Sequence, residues 1–160
     1  MKQDRFLTGI LIGIAVLIAA APALFFLRRD GLSYRPDDTP QGVTYNYALA
    51  VSNGDYERAF GYLADLENKP TYDQFREAFF RGAVNPDNAG LDVGSAELDG
   101  DKAVVELTII FSPSDPFSSG YQNTDRAQLV RQEGKWRLRY MPPYNFWDFG
   151  WYQEIPKEPR

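Results

Sequence analysis

The chain has 160 residues and a formal net charge of −5, and it contains neither cysteine nor histidine. Without these two residue types it forms no disulfide, thiol nucleophile, Cys/His zinc site or Ser-His-Asp triad. Carboxylates, tyrosines, lysines and arginines remain for any reaction, and we expect no cofactor and no metal.

The first predicted element is a membrane-spanning helix. Residues Phe6 to Leu27 form a run of 22 positions without a charge. At about 1.5 Å per residue, a helix of this length measures about 33 Å, compared with about 30 Å for the hydrocarbon core of a bilayer. We therefore expect residues 1–29 to be a signal anchor that contacts the lipid bilayer through residues 6–27.

The same segment has features of a cleavable signal peptide. Residues 21–23 (Ala-Pro-Ala) resemble a cleavage site, and Lys2 and Arg5 form a basic N-terminal region. The apolar run is longer than the usual span of about 7–15 residues, and residues 24–27 continue it beyond that site. A retained single-pass anchor is the favoured interpretation.

The region that follows has the size of one ordinary domain and is acidic. Residues 30–160 contain 13 basic and 21 acidic residues, a net charge of −8. Such a domain repels phosphate backbones, so we expect no nucleic acid partner. Positive charges flank both ends of the apolar run, but long domains are translocated largely regardless of charge, which favours an extracytoplasmic domain.

Three short helices are predicted after a polar linker at residues 30–40. Thr39 before Pro40 is typical of a helix start, and Asn53-Gly54 ends that helix. Asp55 caps the second helix, and Thr71 to Gln74 fit a capping box that opens the third. The apolar faces are expected to consist of Val43, Tyr47, Ala48 and Val51, then Tyr56, Ala59, Phe60 and Leu63, and finally Tyr72, Phe75, Phe79 and Phe80.

The second half of the domain changes to the alternation of strands. A first strand includes Leu91 and Val93. A turn at Asp99-Gly100 then leads to a second, clearer strand at residues 102–112. Strands at 121–132 and 135–140 follow, joined by a Glu-Gly turn. The residues expected to point inward are Ala103, Val105, Leu107, Ile109, Phe111, Trp136, Leu138 and Tyr140. Helices followed by an antiparallel meander predict an α+β domain.

This order of elements resembles the nuclear transport factor 2-like superfamily, also called ketosteroid isomerase-like or SnoaL-like. The resemblance rests on Tyr45 to Leu66, YNYALAVSNGDYERAFGYLADL, and on Leu129 to Tyr140, LVRQEGKWRLRY. It implies a cone-shaped domain at residues 41–141, in which about three helices pack on a curved antiparallel sheet. This fold hosts enzymes, binding modules and accessory domains, so the resemblance assigns no function.

Enzymes of that superfamily place an Asp base, a His-Asp pair or a Tyr-Asp pair inside the cone, and this chain has no histidine. The candidates for proton abstraction beside a carbonyl are Asp92 and Glu106, with Tyr47 and Tyr121 near the cavity. Such residues are more often solvated strand faces and tyrosines at the rim of a core. We expect no enzyme, and a small-molecule-binding or isomerase-like enzyme is the alternative.

The C-terminal tail, residues 142–160, is unusually aromatic, since residues 140–152 include seven aromatic side chains. One interpretation is that the tail folds back and plugs the mouth of the cone. A second is a surface for a partner subunit, and a third is insertion at the bilayer interface. The candidate partner contacts are Tyr144, Phe146, Trp147, Phe149, Trp151 and Tyr152.

The function predicted from these features is that of a bacterial, single-pass, membrane-anchored binding or scaffolding domain. We expect it to be an accessory subunit of a membrane or envelope protein complex. Its partners would be the lipid bilayer and another membrane or envelope protein, and no feature of the sequence specifies a small-molecule ligand.

Overall fold

The computed structural model describes residues 9–14, 16, 18, 32–87, 89–111, 120–143 and 145–152. The chain divides into two compact units, Met1–Ser33 and Tyr34–Arg160. In the first unit, residues 9–14 are helical and exposed. Among the described residues, no helix has both the length and the apolar character needed to cross a bilayer. Most of the run from Phe6 to Leu27 lies outside the described residues, so the anchor stays a prediction.

Three helices open the second unit: α1 (Pro40–Ser52), α2 (Tyr56–Gly61) and α3 (Tyr72–Phe80). The predicted caps are confirmed. Thr39 accepts a hydrogen bond from the backbone of Gly42 at 3.1 Å, and Asp55 caps α2. Thr71 and Gln74 bond to each other's backbone N–H in a capping box at the start of α3. Each cap satisfies backbone donors that the first helical turn leaves without a partner.

Four antiparallel strands follow: β1 (Ala89–Asp99), β2 (Lys102–Phe111), β3 (Tyr121–Gln132) and β4 (Lys135–Tyr140). They lie in the sheet in the order of the chain. At the turn between β3 and β4, Glu133 and Gly134 both have positive φ angles, 51° and 77°, as a tight hairpin of this twist requires. The predicted α+β class, with an antiparallel sheet after the helices, is confirmed.

Two β-bulges interrupt the regular pairing of the sheet. One adds a residue to β1 between Val93 and Ala96, and the other adds Arg139 to β4. A bulge bends its strand and breaks the alternation of side chains. The outer side of β4 is not free, because Ala64 donates to the carbonyl oxygen of Leu138 at 2.7 Å and Leu138 donates to that of Tyr62 at 2.8 Å.

The core lies between the helices and one face of the sheet. Helix α1 packs against β1, β2, β4 and α2, and α2 packs against α3. Two expectations about the helical faces were wrong. Helix α2 ends at Gly61, so Leu63 lies beyond it and forms a β-bridge with Leu138. In α3, Phe80 is 73% exposed. Phe75 is fully buried in the same helix, and at about 100° per residue Phe80 points about 140° away from it.

Residues 34–40, part of the predicted linker, belong to the second unit and pack closely against its first two helices. The buried side chain of Asn46 accepts a hydrogen bond from the backbone of Arg35 and donates one to its carbonyl oxygen, both at 2.7 Å. It also donates to the carboxylate of Asp37. The guanidinium of Arg58 lies 3.5 Å above the ring of Tyr34. These contacts hold residues 34–40 against α1 and α2.

Two glycines give a matched test of this arrangement. A Cβ at Gly42 would lie 2.1 Å from the carbonyl oxygen of Pro36, whereas a Cβ at Gly61 would meet no atom within 4 Å. We expect Gly42→Ala to lower the free energy of unfolding by about 1–3 kcal/mol, because the backbone must shift. Gly61→Ala should raise it by about 0.4–1 kcal/mol. Urea denaturation of both variants measures these changes in the free energy of unfolding. Equal changes would contradict the close packing of Pro36 on α1.

Candidate interaction site

The structure places most of the aromatic tail inside the core. Phe146, Trp147 and Trp151 are only 2%, 2% and 6% exposed, and Tyr152 is partly buried. Phe149 is 56% exposed, so its ring is the one among the described tail rings that offers most surface to a partner. Tyr144 lies outside the described residues, and contact of the tail with a partner stays a prediction.

The buried rings of the tail form one cluster with rings from the helices. Trp147 and Trp151 meet edge to face at 5.1 Å between ring centroids, and Trp147 stacks on Tyr152 at 5.7 Å. Trp151 also stacks on Phe75 of α3 at 4.7 Å, and Trp147 lies 6.0 Å from Tyr47 of α1. Ring pairs in such arrangements add to the free energy gained from burial.

Polar groups fix the position of the tail within this cluster. The hydroxyl of Tyr47 donates to the carbonyl oxygen of Phe146 at 2.6 Å. Asp148 is 7% exposed and accepts a bond from the Arg81 guanidinium at 3.0 Å and from the backbone of Gly150 at 2.6 Å. The tail therefore has a defined register against α1 and the end of α3.

Asp148 and Arg81 were not among the predicted site residues. A signal was present, because Asp148 is the one acidic residue within the aromatic run 140–152. A carboxylate among rings that fold inward needs a cationic partner, since burial of an unpaired charge is costly. Nothing in the spacing of the sequence identified Arg81 as that partner.

Burial changes the acid–base properties of the tyrosines around the tail. It raises the pKa of Tyr47 well above its ordinary value, and the charge of Tyr152 raises it further. Burial, and then the charge of Asp65, also raises the pKa of Tyr152. The Tyr152 hydroxyl donates to the carbonyl oxygen of Ala64. The backbone of Tyr152 has a φ of 59°, which is unusual for a large side chain.

The raised pKa of Tyr47 predicts a loss of stability at alkaline pH. The unfolded chain releases the tyrosine proton near pH 10, whereas the folded chain retains it, so stability is complete below pH 10 and falls above it. We expect Tyr47 to contribute a slope of about 1.4 kcal/mol per pH unit, and Tyr152 less because it is partly exposed.

Urea denaturation between pH 9 and about pH 11.5 measures this slope. Tyr47→Phe should be less stable than the natural chain at neutral pH, because it loses a hydrogen bond, but should show a shallower decline above pH 10. An unchanged slope in that variant would contradict the assignment.

The structure does not bring the four catalytic candidates together. Asp92 and Glu106 are exposed on the sheet, and Glu106 accepts a bond from the Ser95 hydroxyl at 2.8 Å. Tyr47 lies in the core, and Tyr121 is 66% exposed and stacks on Phe111. In the part of the chain that the structure describes, no group of three or more acidic side chains is placed to hold a metal ion.

Two clefts open on the surface beside β4. One, of about 240 Å³, is lined by Gln128, Arg139, Tyr140, Trp151 and Tyr152, and we call it the Arg139 cleft. The other, of about 430 Å³, lies between the turn after β3 and the loop after α2. Its lining residues are Gly61, Leu63, Asp65, Lys69, Gln132, Glu133 and Arg137.

Neither a protein-family model nor a curated protein matches the sequence. Among solved structures, the chain is similar to a SEC-C motif containing protein from Rhodopseudomonas palustris, with 17% identity, a TM-score of 0.49, and coverage of 65% of this chain and 77% of that one. It is also similar to a cystatin fold protein from Novosphingobium aromaticivorans, with 10% identity, a TM-score of 0.42, and coverage of 65% and 97%.

A third similar structure is that of a protein of unknown function from Mycobacterium tuberculosis. The identity is 18%, the TM-score is 0.44, and the alignment covers 66% of this chain and 68% of that one. Similarities at this level assign neither a family nor a function.

Proposed function

We propose that the chain is a membrane-anchored binding module, with its folded domain outside the cytoplasm, that serves as an accessory subunit of a membrane or envelope protein complex. The observation that carries this proposal is the burial of the aromatic tail in the core. Phe146, Trp147 and Trp151 are buried in the core together with side chains of the helices and the sheet. A domain filled in this way presents its outer surface to other molecules, which suits a binding role.

We further propose that the domain is nuclear transport factor 2-like. Three helices precede a four-stranded antiparallel meander, as in that superfamily, and α1 lies across the sheet. The bulges in β1 and β4 support a curved sheet, because each bulge bends its strand.

The anchor in this proposal rests on the length and composition of residues 6–27. These 22 positions contain no charge, and basic residues stand on both sides of them. Transfer of so many apolar side chains into the hydrocarbon core is strongly favourable.

Membrane extraction tests the anchor. We expect the full chain to sediment with membranes and to resist alkaline carbonate, whereas a chain starting at Leu32 should be recovered without detergent. A protease added outside intact spheroplasts should digest the domain of the full chain. Release of the full chain by carbonate, or protection of its domain in intact spheroplasts, would contradict the proposal.

Site-specific crosslinking in cells tests the binding role. A photoreactive residue in place of Phe149 should form an adduct of one defined mass, because this exposed ring borders the buried tail. The same residue at Leu98, which is 65% exposed on β1, is the matched control. If neither position forms an adduct, or if both form the same mixture of adducts, the tail has no specific partner and the proposal is contradicted.

A further inference from the structure

The charges of the domain are unevenly distributed, and one hairpin has a net positive charge. Strands β3 and β4 with their turn, residues 121–140, contain five basic and two acidic residues. The remainder of residues 30–160 contains 8 basic and 19 acidic residues. The basic residues of the hairpin are Arg126, Arg131, Lys135, Arg137 and Arg139. A positive surface on an otherwise acidic domain attracts negatively charged groups locally.

Most of these positive charges are accessible. Arg126, Arg131, Lys135 and Arg139 are exposed, whereas Arg137 donates to the carbonyl oxygen of Gly61. Among the residues that the structure describes, none forms an ion pair or a side-chain hydrogen bond with Arg139. Its guanidinium therefore spends none of its five N–H donors on a side chain of the described residues.

The acidic residues of β1 are too distant to neutralise β4, whereas Glu106 of β2 lies opposite Arg126 and Asp125 lies on β3 itself. Asp92, Glu97 and Asp99 lie on β1, at the opposite edge from β4. At about 4.8 Å between neighbouring strands, the two edges are about 14 Å apart. This exceeds the Debye length of about 8 Å at physiological ionic strength, so the two edges act as separate charged regions.

The Arg139 cleft combines a cation with aromatic walls. Arg139 is the additional residue of the bulge in β4, and bulges redirect side chains away from the regular alternation. Tyr140, Trp151 and Tyr152 line the same cleft, together with the amide of Gln128. A guanidinium binds a carboxylate with two parallel hydrogen bonds, and the rings beside it suit an apolar side chain of the same ligand.

We propose that the β3–β4 hairpin is the docking surface for an acidic peptide segment of the partner protein, with a carboxylate of that segment in the Arg139 cleft. This inference rests on the proposed binding function and names the surface and the chemistry of the partner. A short segment touches only the hairpin, whereas a nucleic acid or an anionic membrane surface also faces the acidic remainder of the domain and is repelled.

Fluorescence anisotropy of the full chain in detergent micelles tests the proposal. The probe is a fluorescein-labelled peptide in which Asp-Glu pairs alternate with single Phe residues. We expect Arg139→Gln to weaken its binding about tenfold, as loss of a charged hydrogen-bonding group does, and Arg139→Lys to restore part of it. Arg76→Gln, at an exposed arginine on α3, is the matched control and should leave the affinity unchanged.

Four outcomes would overturn the proposal: no binding of the acidic peptide, equal binding of a peptide with lysine in place of the acids, equal loss in the Arg76 variant, or tighter binding of single-stranded DNA or phosphatidylglycerol vesicles. Melting curves of the variants show whether each is folded, and a substitution at an exposed residue such as Arg139 should leave the fold intact.

The tests separate the docking surface from the proposed function. If the peptide does not bind, but the full chain still resists carbonate and still forms the Phe149 adduct, only the proposed docking surface is refuted. Release of the full chain by carbonate with peptide binding intact would instead refute the anchor.

Discussion

A chain that ends at Pro143 is expected to lose cooperative folding. It lacks Phe146, Trp147 and Trp151, each of which is at most 6% exposed. At about 1.5–3 kcal/mol for each large buried side chain, the loss is about 5–9 kcal/mol. This is comparable to the total stability of about 5–15 kcal/mol that is typical of a domain.

A chain that ends at Tyr152 is the matched control, because it retains the buried rings of the tail. Thermal unfolding followed by near-ultraviolet circular dichroism compares the two. We expect the natural transition in the control and no cooperative transition in the shorter chain. Equal melting temperatures would show that the tail does not contribute to the core.

The second large effect is expected for Trp136→Ala in β4. The indole is 6% exposed within the core, and the Arg131 guanidinium lies 5.5 Å from the centre of its ring. Replacement by alanine removes the buried ring and leaves a cavity, which lowers the free energy of unfolding by about 3–5 kcal/mol.

Phe80→Ala is the control for Trp136→Ala, because its ring is 73% exposed on α3. We expect this change to cost less than about 1 kcal/mol in urea denaturation at neutral pH. Equal costs for the two substitutions would contradict the inward orientation of Trp136, and with it the register of β4 against β3.

Local patterns were sufficient to predict the helices and strands. Thr39, Asp55 and Thr71 act as caps through bonds within three residues, so their role is present in the sequence. The Glu-Gly turn at residue 133 and the alternation in β2 are also local, because positive φ angles and burial with period two depend on adjacent residues.

The candidate site was predicted only in part. The density of rings in residues 140–152 indicated that the tail matters, but not which rings are buried. Trp151 is buried because Phe75, 76 positions earlier, stacks on it, and Phe149 is exposed two residues before it. The tail has no regular period from which its inward side can be read.

The sequence by itself determined the α+β class, the order of the helices and strands and the acidic charge of the domain, because each depends on nearby residues or on composition. The tertiary structure alone decided the partners of Asn46 and Asp148, which bond to Arg35 and Arg81. It also decided that the bulge at Arg139 lies beside Trp151 and Tyr152. These pairs are distant in the chain, and only the packing of the helices and the tail against the sheet brings them within reach of a hydrogen bond or a shared cleft.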